Sequence, residues 1–220
     1  MKLLDKYRPR RLSEVVGQAA ARVLERFARK PYRSCWLLEG PGGVGKTAAA
    51  HALANELGCT DLSRHVVPAN KLCREYAEEL FGRTCRFLPM DKAAFHVVVI
   101  EEFEKVVSQE VKTYLKTVLD WSVDAEDGLP RRCVVVATSN NASKIEEFLL
   151  ERFEVLQFSG GPSFAKLAQE RLAEIWLEEF PGEDMPHGWR NWGWRGERFS
   201  MRLALRDMDR HVMMGEPVLV

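Results

Sequence analysis

Short unbroken apolar runs recur along the chain, separated by longer stretches in which apolar residues return every three or four positions. The runs lie at 34–40 (SCWLLEG), 64–70 (RHVVPAN), 96–102 (HVVVIEE), 132–140 (RCVVVATSN) and 154–158 (EVLQF). Each is short and largely apolar, which predicts strands. The intervening segments 14–29, 46–58, 70–82, 108–121 and 143–153 carry helical periodicity. Segment 46–58 (KTAAAHALANELG) is filled with good helix formers and stops at Gly58, a C-cap glycine. Segment 70–82 places Leu72, Tyr76 and Leu80 on one helical face, and Ser108 is the predicted N-cap of 108–121. Continuous apolar strands alternating with helices predict a parallel sheet covered on both faces. A break at 159–163 (SGGPS) then separates an α/β domain, 1–160, from a small helical domain, 161–220. In the latter, helices 164–180 and 199–213 flank a loop-rich stretch, 181–197, carrying Trp189, Trp192 and Trp194. These tryptophans fit the core of a small domain better than a platform for stacking bases.

Composition narrows the function classes. The chain has 220 residues, of which 46% are apolar, and no run is long enough to span a membrane. The first residues (MKLLDKYRPRRLSEV) lack the apolar core of a signal peptide. Cys35, Cys59, Cys73, Cys85 and Cys133 are odd in number, and none forms a C-x-x-C pair. That argues against a disulfide framework or a zinc site and for a reducing, cytoplasmic setting. Lys and Arg balance Asp and Glu at 32 each. A nucleic-acid role must therefore rest on local patches such as Lys2, Lys6, Arg8, Arg10 and Arg11, which equally read as a solvated basic arm.

The clearest chemistry sits at 40–47, GPGGVGKT, which matches G-x-x-x-x-G-K-[ST] between a predicted strand and a predicted helix. Glycines there let backbone N–H groups wrap a polyphosphate, and the positive end of the following helix favours the anion. Gly40, Pro41, Gly42, Gly43, Val44, Gly45 and Ala48 form the expected cradle for ATP. Lys46 is placed to reach the β- and γ-phosphates and Thr47 to put its hydroxyl on Mg²⁺. In P-loop ATPases a second strand ends in acids that serve the metal and the attacking water. Here "VVVIEEFE" (97–104) gives Glu101 the metal role and Glu102 the water role. Glutamate is one methylene longer than the usual aspartate, which alters its reach to an ion that demands tight octahedral geometry. Glu104 reads as a surface or helix-cap charge.

Further stretches carry a family resemblance. KYRPRRLSEVVGQ (6–18) resembles the N-terminal box of the AAA+ clamp-loader ATPases, the small subunits of replication factor C and their phage counterparts. The resemblance implies that Tyr7, Arg8, Pro9, Val16 and Gly17 lie against the adenine. EEFE resembles the DEFD of a phage clamp-loader subunit. ATSNNASKIEEFLLERF (137–153) resembles the stretch from sensor 1 to the arginine finger. Asn140 is then the sensor, with Asn141 the competing choice and a helix N-cap the plainer role. Arg152 is then the finger, with pairing to Glu147 or Glu151 on its own helix as the alternative. FSMRLALRDM (199–208) resembles the lid helix bearing the sensor 2 arginine, which gives Arg202, with Arg198 and Arg206 competing on adjacent turns.

The fold so implied is a P-loop AAA+ three-layer α/β/α parallel sheet followed by a small helical lid. The implied activity is ATP hydrolysis with Mg²⁺ at the subunit junctions of a pentamer, hexamer or spiral. Primed or double-stranded DNA, and a protein such as a sliding clamp, are the implied partners, with no membrane. Family members carry a C-terminal helical collar, which is expected to be lacking here because the chain ends at Val220. Two other readings stand beside this one: an ATP-gated assembly protein in which slow hydrolysis times disassembly, and a branch-migration or replication-restart motor.

Overall fold

The computed structural model describes residues 2–91, 93–120 and 128–214. Its centre is a five-stranded parallel sheet in the order β2-β3-β4-β1-β5. The strands are β1 (Ser34–Glu39), β2 (Arg64–Pro68), β3 (His96–Glu101), β4 (Cys133–Ser139) and β5 (Glu154–Gln157). β1 lies between β4 and β5, with Leu37 opposite Ala137 on one side and Val155 on the other. The helices are α1 (Leu3–Lys6), α2 (Ala19–Arg29), α3 (Lys46–Glu56), α4 (Arg74–Ala77), α5 (Gln109–Val118), α6 (Glu147–Leu150), α7 (Pro162–Glu179) and α8 (Met201–Met214).

Successive strand residues point to opposite faces, so an apolar run with no polar alternation needs cover on both. One face of the sheet presents Trp36, Leu38, Val97, Val99, Val134 and Val136, and packs with Leu24 of α2 and Leu53 of α3. The other presents Leu37, Val98, Ile100, Val135 and Ala137, and packs with Leu80, Phe81, Val111 and Leu115. The result is the expected α/β/α sandwich. Among the described residues, the tail packs onto the core of this sheet. Phe164, Ala168 and Leu172 of α7 and Ala204 and Met208 of α8 join the cluster on the first face.

Several expected elements differ. The helix foreseen from residue 14 starts at Ala19. Before it, Leu12–Glu14 form a 3-10 turn and Gly17 takes a left-handed φ of 64°. The Gln18 amide explains the extended entry. Its Nε2 donates to Ser159 O (2.9 Å) and Val44 O (3.3 Å), and its Oε1 accepts from Ser159 N (3.0 Å). Segment 70–82 opens on the end of a 3-10 turn (Ala69–Lys71), is α-helical only from Arg74, and widens into a π-helical turn over Glu78–Arg83. There Leu72 and Leu80 are buried while Tyr76 faces solvent. Of segment 143–153 only Glu147–Leu150 is α-helical, because a separate 3-10 turn occupies Ala142–Lys144. Ser108 does cap α5, its Oγ accepting from Val111 N at 3.4 Å. Trp121, the last residue of that predicted helix, and 215–220 of the predicted small domain lie outside the described residues.

The stretch 181–197, expected as loop, contributes to a two-residue antiparallel pairing of β6 (Trp194–Arg195) with β7 (Arg198–Phe199). Its tryptophans pack inward. Trp192 is buried within 6.3 Å of Trp176, ring centre to ring centre, and Trp194 meets Phe199 edge-on at 5.4 Å. Among the described residues, no helix is long and apolar enough to cross a membrane.

Candidate functional site

Parallel α/β sheets bind ligands beyond the carboxyl ends of their strands, where neighbouring connections diverge. Here β1 sits beside β4, and the chain leaves β1 to reach the far edge at β2. A cleft of about 520 Å³ opens at that point, between the sheet and helices α7 and α8. It falls in the range of small-molecule sites. Gly42 to Ala48 of the glycine-rich loop line it, as do Tyr7, Arg8, Pro9 and Val16 of the N-terminal box. Glu101, Glu102, Asn140 and Arg202 complete the predicted residues that meet there. Gly17, Gly40, Pro41 and Arg152 are not in its lining.

Glycine is required in the loop for steric reasons. Gly43 has φ 82°, and a Cβ there would come within 1.9 Å of Ser200 Oγ at the start of α8. At Gly40 (φ 152°) a Cβ would meet Phe158 O at 2.1 Å. Gly45, at φ 102°, is the left-handed residue from which α3 departs. The loop is thus clamped between the end of β5 and the tail, and it holds its lysine inside. Lys46 Nζ donates to Gly40 O (2.6 Å), Pro41 O (2.7 Å) and Asn140 Oδ1 (3.1 Å). Burial lowers the Lys46 pKa to about 8. Glu104 opposes that shift, nearby Arg202 reinforces it, and Glu102 and Glu39 oppose it further.

The acids at the end of β3 divide their tasks. Glu101 is half-buried at the strand terminus, opposite Pro68. Glu102 has φ 57° and ψ 51°, and it is the one non-glycine residue with positive φ among the described residues. Such a backbone costs on the order of 1 kcal/mol or more and concentrates at functional sites. Its N–H donates to Thr138 Oγ1 at 3.2 Å, and its carboxylate is ion-paired with Lys105 at 2.7 Å, in the open. The turn continues as a 3-10 helix, Phe103–Lys105, which carries Glu104 back under the end of β4. Glu104 Oε1 accepts from Asn140 N (3.1 Å) and Asn140 Nδ2 (3.2 Å). Its Oε2 is buried without a hydrogen-bond partner. Glu104 is therefore not a surface or cap charge. The left-handed turn at Glu102 reverses the chain and points the second following residue inward.

The two asparagines also separate. Asn140 bridges Lys46 and Glu104, whereas Asn141 Oδ1 accepts from Ser143 N at 3.0 Å and caps the short turn after β4. Two supports went unread in the sequence. Glu39, ending β1, accepts from Ala142 N (2.9 Å) and Gln157 Nε2 (2.6 Å), fixing the segment after Asn140 to the sheet. Thr138 holds the Glu102 turn as described. Strand-end position was the available signal for both.

The N-terminal box is strapped to the tail. Tyr7 Oη and Lys6 Nζ both donate to Glu179 of α7, and Leu3 N donates to Asp209 Oδ1 of α8 at 3.2 Å. Burial, then the Glu179 and Glu178 carboxylates, push the Tyr7 hydroxyl pKa well up. Arg171 of α7 lies 5.8 Å from the Tyr7 ring centre and lines the cleft, a contribution the sequence did not disclose. Of Arg198, Arg202 and Arg206, Arg202 is the one in the lining. Arg152 stands apart, its Nε donating to Lys116 O (3.3 Å) and its guanidinium 3.6 Å from the Asp120 carboxylate.

The groups present suit a magnesium nucleotide. The Thr47 hydroxyl and Glu101 carboxylate are hard oxygen donors on the same cleft as Lys46, the donor type Mg²⁺ prefers. Gly42 has open space where a Cβ would be, and Glu104 Oε2 is an acceptor with spare capacity beside Asn140.

Comparison with known proteins agrees with this geometry. Residues 36–160 match the family model described as the ATPase family associated with various cellular activities (AAA). The replication factor C small subunit of Thermofilum pendens is 26% identical over 210 residues, and small subunit 1 of Pyrobaculum arsenaticum is 31% identical over 180. These alignments cover 94% and 78% of this chain but 61% and 50% of those proteins, so the chain spans about half to three-fifths of their length. Among solved structures, the Thermotoga maritima RuvB Holliday junction branch migration motor superposes with a TM-score of 0.69 at 20% identity, covering 94% of this chain and 66% of that one. That likeness is one of fold.

Proposed function

The chain belongs to the AAA family of ATPases, and on that premise we propose that it binds and hydrolyses ATP at subunit junctions of a ring or spiral, as a clamp-loader-like protein acting on DNA or on a DNA-bound partner in the cytoplasm. The observation that carries this reading is the convergence of the glycine-rich loop, Lys46, the acids ending β3 and Asn140 on one cleft.

Each residue has a task that its chemistry supports. Backbone N–H groups from Gly42 to Lys46, at the positive end of α3, hold the phosphates. Lys46 exchanges its carbonyl partners for phosphate oxygens while Asn140 keeps hold of it from the side. Thr47 and Glu101 hold Mg²⁺, which when bound neutralises phosphate charge. The Glu102 carboxylate accepts the hydrogen bond, and in the reaction the proton, of the attacking water. It must first leave Lys105. That pair is exposed, so the exchange costs only about 0–1 kcal/mol. Glu104 holds Asn140, and Arg202 adds positive charge from the lid. The N-terminal box, strapped to α7 and α8, positions the base. Arg152 acts on a neighbouring chain's nucleotide.

A second reading, the ATP-gated assembly protein with slow hydrolysis, is favoured by one feature. Both Glu102 and Arg152 rest on other partners, Lys105 and Asp120, so turnover in a lone chain is expected to be slow.

Electron microscopy with a non-hydrolysable ATP analogue, with and without primed DNA, tests the proposal. Rings or spirals that require nucleotide, and grow more numerous with DNA, are expected. Monomers under every condition would overturn it. Assembly with nucleotide but no DNA dependence, together with slow turnover, would favour the second reading.

A further inference from the structure

The opposite end of the sheet carries a second cluster that the ATPase does not use. His65 is the second residue of edge strand β2, and His96 is the first of β3. Their rings face one another, with His65 Nε2 3.1 Å from His96 Nδ1. Cys85, buried in the 3-10 turn Thr84–Arg86, completes a trio whose ligand atoms all lie within 4.8 Å of one another. Cys133 is paired in register with His96, and its buried thiol lies beside that of Cys85.

We propose that His65, His96 and Cys85 form a site for a divalent ion of the zinc class, one that staples edge strand β2 to β3 and to the turn Thr84–Arg86.

Three features favour a ligand set over a filled core. A carbonyl can only accept, so the 3.2 Å contact between His96 Nε2 and Phe87 O puts the ring proton on Nε2 and leaves Nδ1 an acceptor, a lone pair that takes the His65 Nε2 hydrogen bond and would face an ion in its place. Donating the other ring N–H to a carbonyl is how ligating histidines are usually oriented. Spacing is the second feature. Zn–N and Zn–S bonds of about 2.0–2.1 and 2.3 Å in a tetrahedron set nitrogens roughly 3.3 Å apart and nitrogen and sulfur roughly 3.6 Å apart. The two ring nitrogens are already near that separation, and the sulfur has to close by roughly 1.2 Å at most. The third is donor chemistry. Two imidazoles and a thiol, with a second thiol alongside, suit zinc and not the oxygen-seeking ions of the nucleotide cleft. The cysteine spacing alone argued against a zinc site because the three ligands come from separate segments and share no short motif.

The test uses the full-length protein, fully reduced and free of nucleotide, titrated with Co²⁺. The expected result is one Co²⁺ per chain with a thiolate-to-cobalt absorption band, bleached by one equivalent of Zn²⁺. Cys85→Ala should remove the band. His65→Ala, at a half-exposed position that should not endanger folding, should weaken Co²⁺ binding by at least about tenfold, the scale of losing even a supporting group. Cys73→Ala, at an exposed cysteine, should change nothing. Co²⁺ at the nucleotide cleft cannot mimic the signal, since no cysteine lines that cleft. Absence of the band in the unaltered protein would overturn the proposal, leaving a satisfied His–His hydrogen bond. So would a band that survives both Cys85→Ala and His65→Ala, or one that disappears in Cys73→Ala.

Discussion

The two ends of the sheet are both polar, but they are assembled differently. At the carboxyl end the polar groups come from contiguous stretches, 40–47 and 101–104, and from Asn140. At the amino end they come from His65, Cys85, His96 and Cys133, each on a different segment. Hydrogen bonding differs as well. The amino end is closed pair by pair, His65 to His96 and His96 to Phe87 O. At the carboxyl end Lys46 rests on loop carbonyls, Glu104 Oε2 has no partner, and Glu102 is held in a left-handed backbone. A rim that must exchange partners with a ligand keeps unfinished bonds and local strain. The amino end needs less rearrangement: the proposed ion has only to replace the one His65–His96 hydrogen bond, while the bond from His96 to Phe87 O stays in place.

The largest expected effect asks whether the carboxyl rim is complete within one chain. Arg152 is outside the cleft lining, so the proposal has it serve a neighbour. Arg152→Ala should then reduce turnover in the assembled state by about 10³–10⁵, the scale of arginine fingers. Glu102→Gln should also be nearly inactive, since an amide cannot take the water's proton. Mixing the two variants creates junctions where an intact pocket meets an intact finger. ATP hydrolysis of the mixture should exceed the sum of its parts and rise with protein concentration. Should co-assembled variants show no gain, Arg152 belongs to its own chain's structure, with Lys116 and Asp120.

Next in size is Lys46→Ala. Hydrogen bonds to charged groups contribute about 1.5–3 kcal/mol each, so losing two phosphate contacts should weaken ATP binding by about 10²–10⁴. His65→Ala, at the other end, should leave ATP affinity within about twofold, because the perturbation is distant and shares no partners with the cleft. Calorimetric titration of both variants checks the contrast. Equal losses would mean the two ends are coupled and the division between them is wrong.

What the sequence disclosed follows the same division. The strands and the glycine-rich loop were legible because their signals are local: apolar runs of strand length, and glycines where the backbone turns left-handed. Glu104 was misread because its direction depends on the conformation of Glu102, which no propensity predicts. The helix expected at 143–153 shrank to Glu147–Leu150 because Asn141 caps a separate turn and Glu39 ties Ala142 to the sheet, both tertiary choices. The pairing of β6 with β7 is two residues long and depends on Phe199 packing against Trp194 and Phe164. The histidine pair was invisible for a simpler reason: 31 residues separate its members.

The smallest expected effect probes how the carboxyl rim tunes its lysine. In the free protein burial holds the Lys46 pKa at about 8, below its ordinary value of 10.5. Bound phosphate stabilises the charged form and raises that pKa again. Above pH 8, binding must therefore take up a proton, and ATP affinity should fall as pH rises through 8, approaching tenfold per unit until the pKa of the complex is reached. Stability of the nucleotide-free protein should move the other way. The unfolded chain binds more protons between pH 8 and 10.5, so this lysine's contribution to stability rises with pH across that window. Neighbouring charges set the midpoint. Glu104 raises the Lys46 pKa and Arg202 lowers it. Glu104→Gln should therefore shift the affinity midpoint to lower pH. Arg202→Ala should shift it to higher pH, even though Arg202→Ala also weakens binding at every pH. Calorimetric titrations from pH 7 to 9.5 in buffers of differing ionisation enthalpy measure both the midpoint and the proton uptake. Opposite shifts in the two variants would tie the tuning to the side chains that surround Lys46. Shifts of the same sign, or no proton uptake above pH 8, would mean that the lysine is already charged in the free cleft and that burial does not govern it.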